Sequence, residues 1–192
     1  FEKLMKAISK SLKKNDPNHL NLGIRYGYIE QLDDELLRIS KESFDALSFN
    51  CYALSPDHEK MNHALEISGL PMIIGEYHFG TVDRGLAQSL WQVNSQKERG
   101  DAFQYYTENA FAHRGLIGTG WFRWIDQNIN GRTDGENYNC GFIDVTDRPY
   151  PYMVDAAIEA AKSLYEIHSG TKTPFHQAPN AVGHSPIPDL WE

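Results

Sequence analysis

The sequence predicts an α/β fold built on a parallel sheet, and three observations carry that expectation. Helical and strand patterns alternate along the chain at the spacing of βα units. The strand "LPMII" (70–74) is a continuous apolar run, as expected where a strand is covered on both faces. Polar and aromatic residues collect where the strands end, the place where parallel α/β folds keep their reactive groups.

The elements follow in order. Residues 1–14 place Leu4, Ala7, Ile8, Ser11 and Leu12 near helical spacing, and "NDPN" stops them. "HLNLGIRYGY" (19–28) reads as a strand. "DDELLRISKES" (33–43) reads as a helix with acidic residues in its first turn, which suits the positive end of the helix dipole. "FDALSFNCYA" (44–53) is a second strand, and "DHEKMNHALEISG" (57–69) a helix closed by Gly69. The third strand, 70–76, ends in Glu76, Tyr77 and His78.

A loop of some fifteen residues follows, long enough to be functional or disordered. Residues 94–113 form an amphipathic helix with Asn94 or Ser95 as N-cap. "LIGTGWFRWID" (116–126) is the fourth strand, "QNINGRTDGENYNCGFID" a second long loop, and 151–170 the last helix. The tail, residues 171–192, holds four of the nine prolines and no periodicity, so it reads as an extended segment. A leading helix and four βα units amount to half of a (β/α)8 barrel, which needs roughly 250 residues when whole. A small doubly wound sheet is the alternative, but no glycine-rich nucleotide signature follows any strand.

Composition narrows the function classes. The 192 residues are 41% hydrophobic and 23% charged, with a net charge of −8 and no basic stripe beyond Lys3–Lys14, so nucleic acid is not an expected partner. No apolar run approaches the roughly 20 residues that span a membrane. Cys51 and Cys140 form neither a disulfide framework nor a metal pair, and they read as small buried residues. Aromatics reach 12% and cluster between residues 103 and 152, which fits either core packing or a surface that stacks on flat ligands. The chain opens with Phe1 in what reads as mid-helix, and it is expected to be part of a longer protein.

The strand ends deliver Arg25, Tyr26 and Tyr28, then Asn50 and Tyr52, then Glu76 and His78, and finally Trp121, Arg123, Trp124, Asp126 and Gln127. Aromatic faces with Asn, Arg, Asp and Gln suit a carbohydrate, the rings against C–H faces and the polar groups on hydroxyls. A strand-end carboxylate oriented by Arg and Tyr suits a nucleophile in retaining glycoside hydrolysis, so Glu76 is the catalytic candidate, although a salt bridge or a loop cap uses the same residue. A metal site at Glu76, His78 and His113 matches no compact zinc spacing, and no GxSxG elbow supports a serine triad. Asp134, Glu136 and Asn137 lack EF-hand spacing and are read as loop-internal partners. No cofactor or metal is expected.

"PMIIGEYHFGTVDRG", "ERGDAFQYYTENAFAHRGLIGTGWFRWIDQ" and "GRTDGENYNCGFIDVTDRPYP" together resemble the C-terminal half of the agarase-like glycoside hydrolases of family 50, over roughly residues 15–168. The resemblance implies strands five to eight of a retaining (β/α)8 barrel in residues 1–170, followed by the tail. It implies that Glu76 is the nucleophile, and that Arg25, Asn50, Tyr52, His78, Trp121, Arg123, Trp124, Asp126 and Gln127 line the substrate. The substrate implied is a β-linked galactose-containing oligo- or polysaccharide such as agarose. Other β-galactosides, as for a β-galactosidase, stay open. The general acid/base of that clan is a Glu following an Asn at the end of strand four. No such pair stands at a strand end here, so that group is expected upstream of Phe1, in a separate N-terminal barrel half that is this chain's partner. Two other readings remain: a non-catalytic carbohydrate-binding barrel, and an unrelated metal-dependent α/β hydrolase. Proteins that degrade polysaccharides are commonly secreted or periplasmic, which is the expectation for the parent.

Overall fold

The computed structural model describes residues 1–183, and within it the chain divides into two compact units. The helices are α1 (Glu2–Asn15), α2 (Asp34–Ser43), α3 (His58–Ser68), α4 (Gln96–Phe111) and α5 (Pro151–His168). The strands are β1 (Arg25–Tyr26), β2 (Leu47–Asn50), β3 (Met72–Tyr77), β4 (Trp91–Gln92), β5 (Leu116–Trp121) and β6 (Val182–Gly183). The chain is therefore an α/β protein, with β1, β2, β3 and β5 forming a four-stranded sheet in that order.

The first unit comprises Phe1–Cys51, Asp57–Glu76 and His113–Gly120. β1 pairs with β2, and β2 with β3, both in parallel. The Met72 N–H donates to the Gly115 carbonyl where β3 and β5 begin, so these two strands also start side by side. Leu47, Phe49, Met72 and Ile74 are fully buried, whereas Ser48, Asn50, Ile73 and Glu76 are half-buried. The sheet thus has a closed face and a more open one, as alternation along the strands requires. Met5 of α1 joins Ile39 and Phe44 in a cluster flanked by Ile24 and Leu70.

Helix ends in this unit follow their caps. Asp33 accepts from the Leu36 N–H at 2.8 Å to start α2, and Asp57 accepts from the N–H groups of Glu59 and Lys60 to start α3. Gly69 ends α3 with φ +66°, the left-handed conformation that favours glycine. β1 is much shorter than the strand expected over 19–28. Gly23 turns the chain at φ +74°, and a 3-10 turn over Ile29–Gln31 follows directly.

The second unit comprises Tyr52–Pro56, Tyr77–Ala112 and the described residues from Trp121 onward. Its centre is the pair α4 and α5. Ser95 caps α4 by accepting from the Glu98 N–H, and the Glu98 carboxylate reaches back one residue past the cap to accept from the Asn94 N–H at 2.9 Å. α5 starts with Pro151 at its first turn. A Cβ on Gly100 would lie 2.5 Å from the Tyr152 carbonyl oxygen, so the start of α5 approaches α4 there at a distance that a side chain would block. Tyr77 stacks on Tyr106 with centroids 4.0 Å apart.

After α5 the chain turns back. The Phe175 N–H donates to the Glu108 carboxylate at 2.7 Å, the Asn109 amide donates to the Phe175 carbonyl, and β6 pairs antiparallel with β4. The remainder of the expected tail, residues 184–192, lies outside the described residues.

Candidate active site

At the end of β3 the register with β2 slips. Phe49 lies opposite Ile74, but Asn50 lies opposite Glu76, so Gly75 is an extra residue in a bulge. The slip puts Glu76 where Gly75 would otherwise be, on the same half-buried side as Asn50. There Arg25 Nη2 ion-pairs with Glu76 Oε1 at 2.8 Å, and Asn50 Nδ2 donates to Oε2 at 3.1 Å. The Glu76 side chain keeps 18% exposure, so the carboxylate is fixed on both oxygens yet reachable from solvent. Three of the sequence-derived candidates, Arg25, Asn50 and Glu76, are therefore brought together.

The other candidates lie in the second unit. Tyr52 meets His78 edge to face at 4.9 Å. His78 is 1% exposed; its Nδ1 faces the Phe122 carbonyl at 3.2 Å, and its Nε2 accepts from the Leu90 N–H at 3.1 Å. Those partners require a neutral ring with the proton on Nδ1, and burial pushes its pKa down to about 3. With the Nε2 lone pair taken by Leu90, this ring holds a loop, and among the described residues no cluster of metal-ligating side chains exists.

Trp121 and Trp124 behave differently. Trp121 packs against Tyr77, Phe103 and Phe142, and its indole N–H donates to the Cys140 carbonyl at 2.7 Å. Trp124 is 68% exposed and stacks on Phe142, which leaves its other face open. Arg123, half-buried, follows the cis Phe122–Arg123 peptide.

Asp126 and Gln127 are both buried and both occupied. Asp126 accepts from Asn139 Nδ2, from the Gly141 N–H at 2.7 Å and from the Tyr150 hydroxyl at 2.6 Å. Gln127 donates to the Glu136 carboxylate and accepts from the Tyr138 N–H. Arg99, fully buried, lies 4.4 Å above the Tyr150 ring and donates to the Asn139 carbonyl. Asn139 Oδ1 in turn receives Thr81 and Gln96. This network ties the loop after β5 to α4 and to the start of α5.

Arg99, Asn139 and Tyr150 were not candidates from sequence. The only signal for them was an arginine on a helix face rich in aromatics, which periodicity does not distinguish from a solvated charge. Asp134 bonds within the 132–136 turn, pairing with Arg132 at 2.6 Å and accepting from the Glu136 N–H, whereas the Glu136 carboxylate also takes Gln127 and Asn137 Oδ1 accepts from the Ala87 N–H, outside the loop.

No family model matches the chain. Over 166 residues, 83% of this chain, it is 36% identical to beta-agarase A of Vibrio sp. (strain JT0107), and it is 34% identical over 170 residues to beta-agarase B of the same strain. The chain is agarase-like. It spans 16% and 17% of the length of those two relatives.

Solved structures agree. PfGH50B superposes with a TM-score of 0.82 at 36% identity, covering 87% of this chain and 24% of that one. An exo-beta-agarase superposes with the same TM-score at 34% identity, covering 88% of this chain and 23% of its own. At 16% identity, a GH2 beta-galacturonidase from Eisenbergiella tayi shares the fold alone, with a TM-score of 0.57. Among the described residues of this agarase-like segment, no helix is long and apolar enough to cross a membrane.

Proposed function

We propose that residues 1–170 are the C-terminal half, strands five to eight, of a (β/α)8 glycoside hydrolase domain, with residues 171–192 as its tail. In this reading the parent protein hydrolyses β-galactosidic linkages of an agarose-like poly- or oligosaccharide with retention. The observation that carries the proposal is Glu76, presented by the β3 bulge and gripped by Arg25 and Asn50, in a chain similar to beta-agarases. β1 and β5 end the sheet among the described residues, which suits closure by further strands.

Glu76 attacks the anomeric carbon while an acid from the preceding half of the domain protonates the departing glycosidic oxygen. The glycosyl–Glu76 ester then yields to water, which the same group, now a base, deprotonates. Two carboxyl groups about 5–5.5 Å apart are required for this course, so the chain supplies one of the pair. Arg25 and Asn50 hold the nucleophile. The open face of Trp124 suits stacking on a sugar ring, with Tyr52, Trp121 and Arg123 as further substrate-side residues. His78, Asp126 and Gln127 contribute by shaping the loops around them, since their polar atoms are already engaged within the chain.

The test is turnover of agaro-oligosaccharides by the parent protein, wild type against Glu76→Gln. The variant is expected to lose about a thousandfold or more in kcat while still binding substrate. Wild-type turnover in Glu76→Gln would sink the assignment. Sugar binding without turnover in the wild type would favour the non-catalytic barrel instead.

A further inference from the structure

Gly75 has no side chain to offer chemistry, yet its neighbours explain why the position is glycine. An ideal Cβ there would lie 2.3 Å from Arg25 Cδ, 3.0 Å from Arg25 Cγ and 3.2 Å from Asn50 Oδ1. The aliphatic stem of Arg25 therefore crosses β3 directly over Gly75 before its guanidinium reaches Glu76 at 2.8 Å. Asn50 Oδ1 is buried and has no hydrogen-bond partner among the described residues, so the Asn50 amide grips Glu76 through Nδ2. Gly75 does not have a positive φ, so an alanine here meets no backbone penalty of that kind. Its whole effect is the methyl group against the two side chains that hold the carboxylate.

We propose that Gly75 is a positioning residue for Glu76, acting through Arg25. The bulge supplies the extra residue that turns Glu76 toward Asn50, and the missing Cβ supplies the channel through which Arg25 reaches it. A methyl group at position 75 displaces a flexible arginine stem rather than backbone, so the fold survives and the ion pair does not. Gly120 differs: a Cβ there would meet the Gly75 carbonyl oxygen at 2.7 Å, a backbone contact that only a shift of the strand can relieve. The two glycines are neighbours, but only Gly75 acts on the carboxylate's orientation through a side chain.

The inference rests on the nucleophile reading of Glu76, and the experiment separates the two. The parent protein is treated with a 2-deoxy-2-fluoro-β-galactosyl fluoride: the nucleophile displaces the anomeric fluoride, and the resulting glycosyl ester accumulates because water attacks it slowly. Peptide mass mapping locates the adduct. Wild type is compared with Gly75→Ala, Arg25→Ala and the double variant, reading inactivation rate constant, probe affinity and melting temperature.

Gly75→Ala is expected to lower the rate constant about tenfold to a hundredfold with little change in affinity, because the carboxylate is misplaced rather than lost. Arg25→Ala is expected to match it, and the double variant to be no slower than Arg25→Ala alone. Any melting temperature lost by Gly75→Ala should return in the double variant, where the stem that met the methyl is gone. Wild-type labelling rates in Gly75→Ala, or losses that multiply in the double variant, would overturn the positioning role while leaving Glu76 as nucleophile. An adduct on another carboxylate in the wild type would overturn both.

Discussion

Acid will loosen the second unit through His78, and the size of the effect can be worked from its surroundings. Burial is the main cause of the low pKa of about 3; the charge of Arg99 pushes the same way, and the Phe122 carbonyl opposes it. In the unfolded chain the ring returns to about 6.5. Between those values the unfolded state binds a proton that the folded state refuses, so stability falls as pH falls. The contribution is complete above about pH 6.5 and declines by about 1.4 kcal/mol per unit below it, on the way to about 3.

From pH 7 to 4.5 that is about 3 kcal/mol, superimposed on the titration of the carboxylates. His78→Asn isolates it, because the amide has no comparable titration. Urea unfolding followed by tryptophan fluorescence should show the wild type more stable than the variant at pH 7, with the gap shrinking by about 3 kcal/mol at pH 4.5. A gap that stays constant across that range would refute the neutral, buried ring.

Three further outcomes follow from named contacts. Tyr150→Phe removes one donor from buried Asp126 and should cost about 1–3 kcal/mol, read by calorimetry, with Asn139 and Gly141 retaining the carboxylate. Ser95→Ala removes the cap of α4 and should cost about 1 kcal/mol in a urea melt. Trp124→Ala should leave stability within about 0.5 kcal/mol but raise the Kd for agaro-oligosaccharides roughly twofold to tenfold by calorimetric titration. An unchanged Kd would remove Trp124 from the substrate surface.

The regular elements were legible because each carries a local signal. α3 stops at Gly69 as its sequence announced, and of the two proposed caps Ser95 is the one whose side chain accepts a helix N–H. β3 was readable as an apolar run. What failed was extent: "HLNLGIRYGY" has strand-like residues, but Gly23 turns the backbone, and only Arg25–Tyr26 pair. β4 and β6 were invisible because each is two residues long and its partner lies far along the chain.

In the candidate site, Arg25, Asn50 and Glu76 were readable as a group because all three stand at strand ends, and their side chains do meet. Burial decided the rest. Asp126 and Gln127 are polar residues at the end of a strand, indistinguishable in sequence from ligands for a sugar. Their partners Gly141, Tyr150, Glu136 and Tyr138 come from a loop whose path no periodicity encodes. The bulge at Gly75 is likewise a property of two strands together and not of either one.

The pairing of β6 with β4 has a kinetic meaning. α4 and α5 lie between those two strands in the chain, so the pair is a long-range contact that encloses both helices in one loop. Closure of so long a loop costs entropy that grows only slowly with length, and non-local pairings of this kind slow folding as a whole. The bonds of Phe175 to Glu108 and Asn109 shorten the remaining search by holding the returning chain against α4. The returning segment therefore reaches β4 from a fixed point at Phe175, and cutting the chain just after Phe175 should leave the α4–α5 pair formed while uncovering one edge of β4, read as faster amide exchange there.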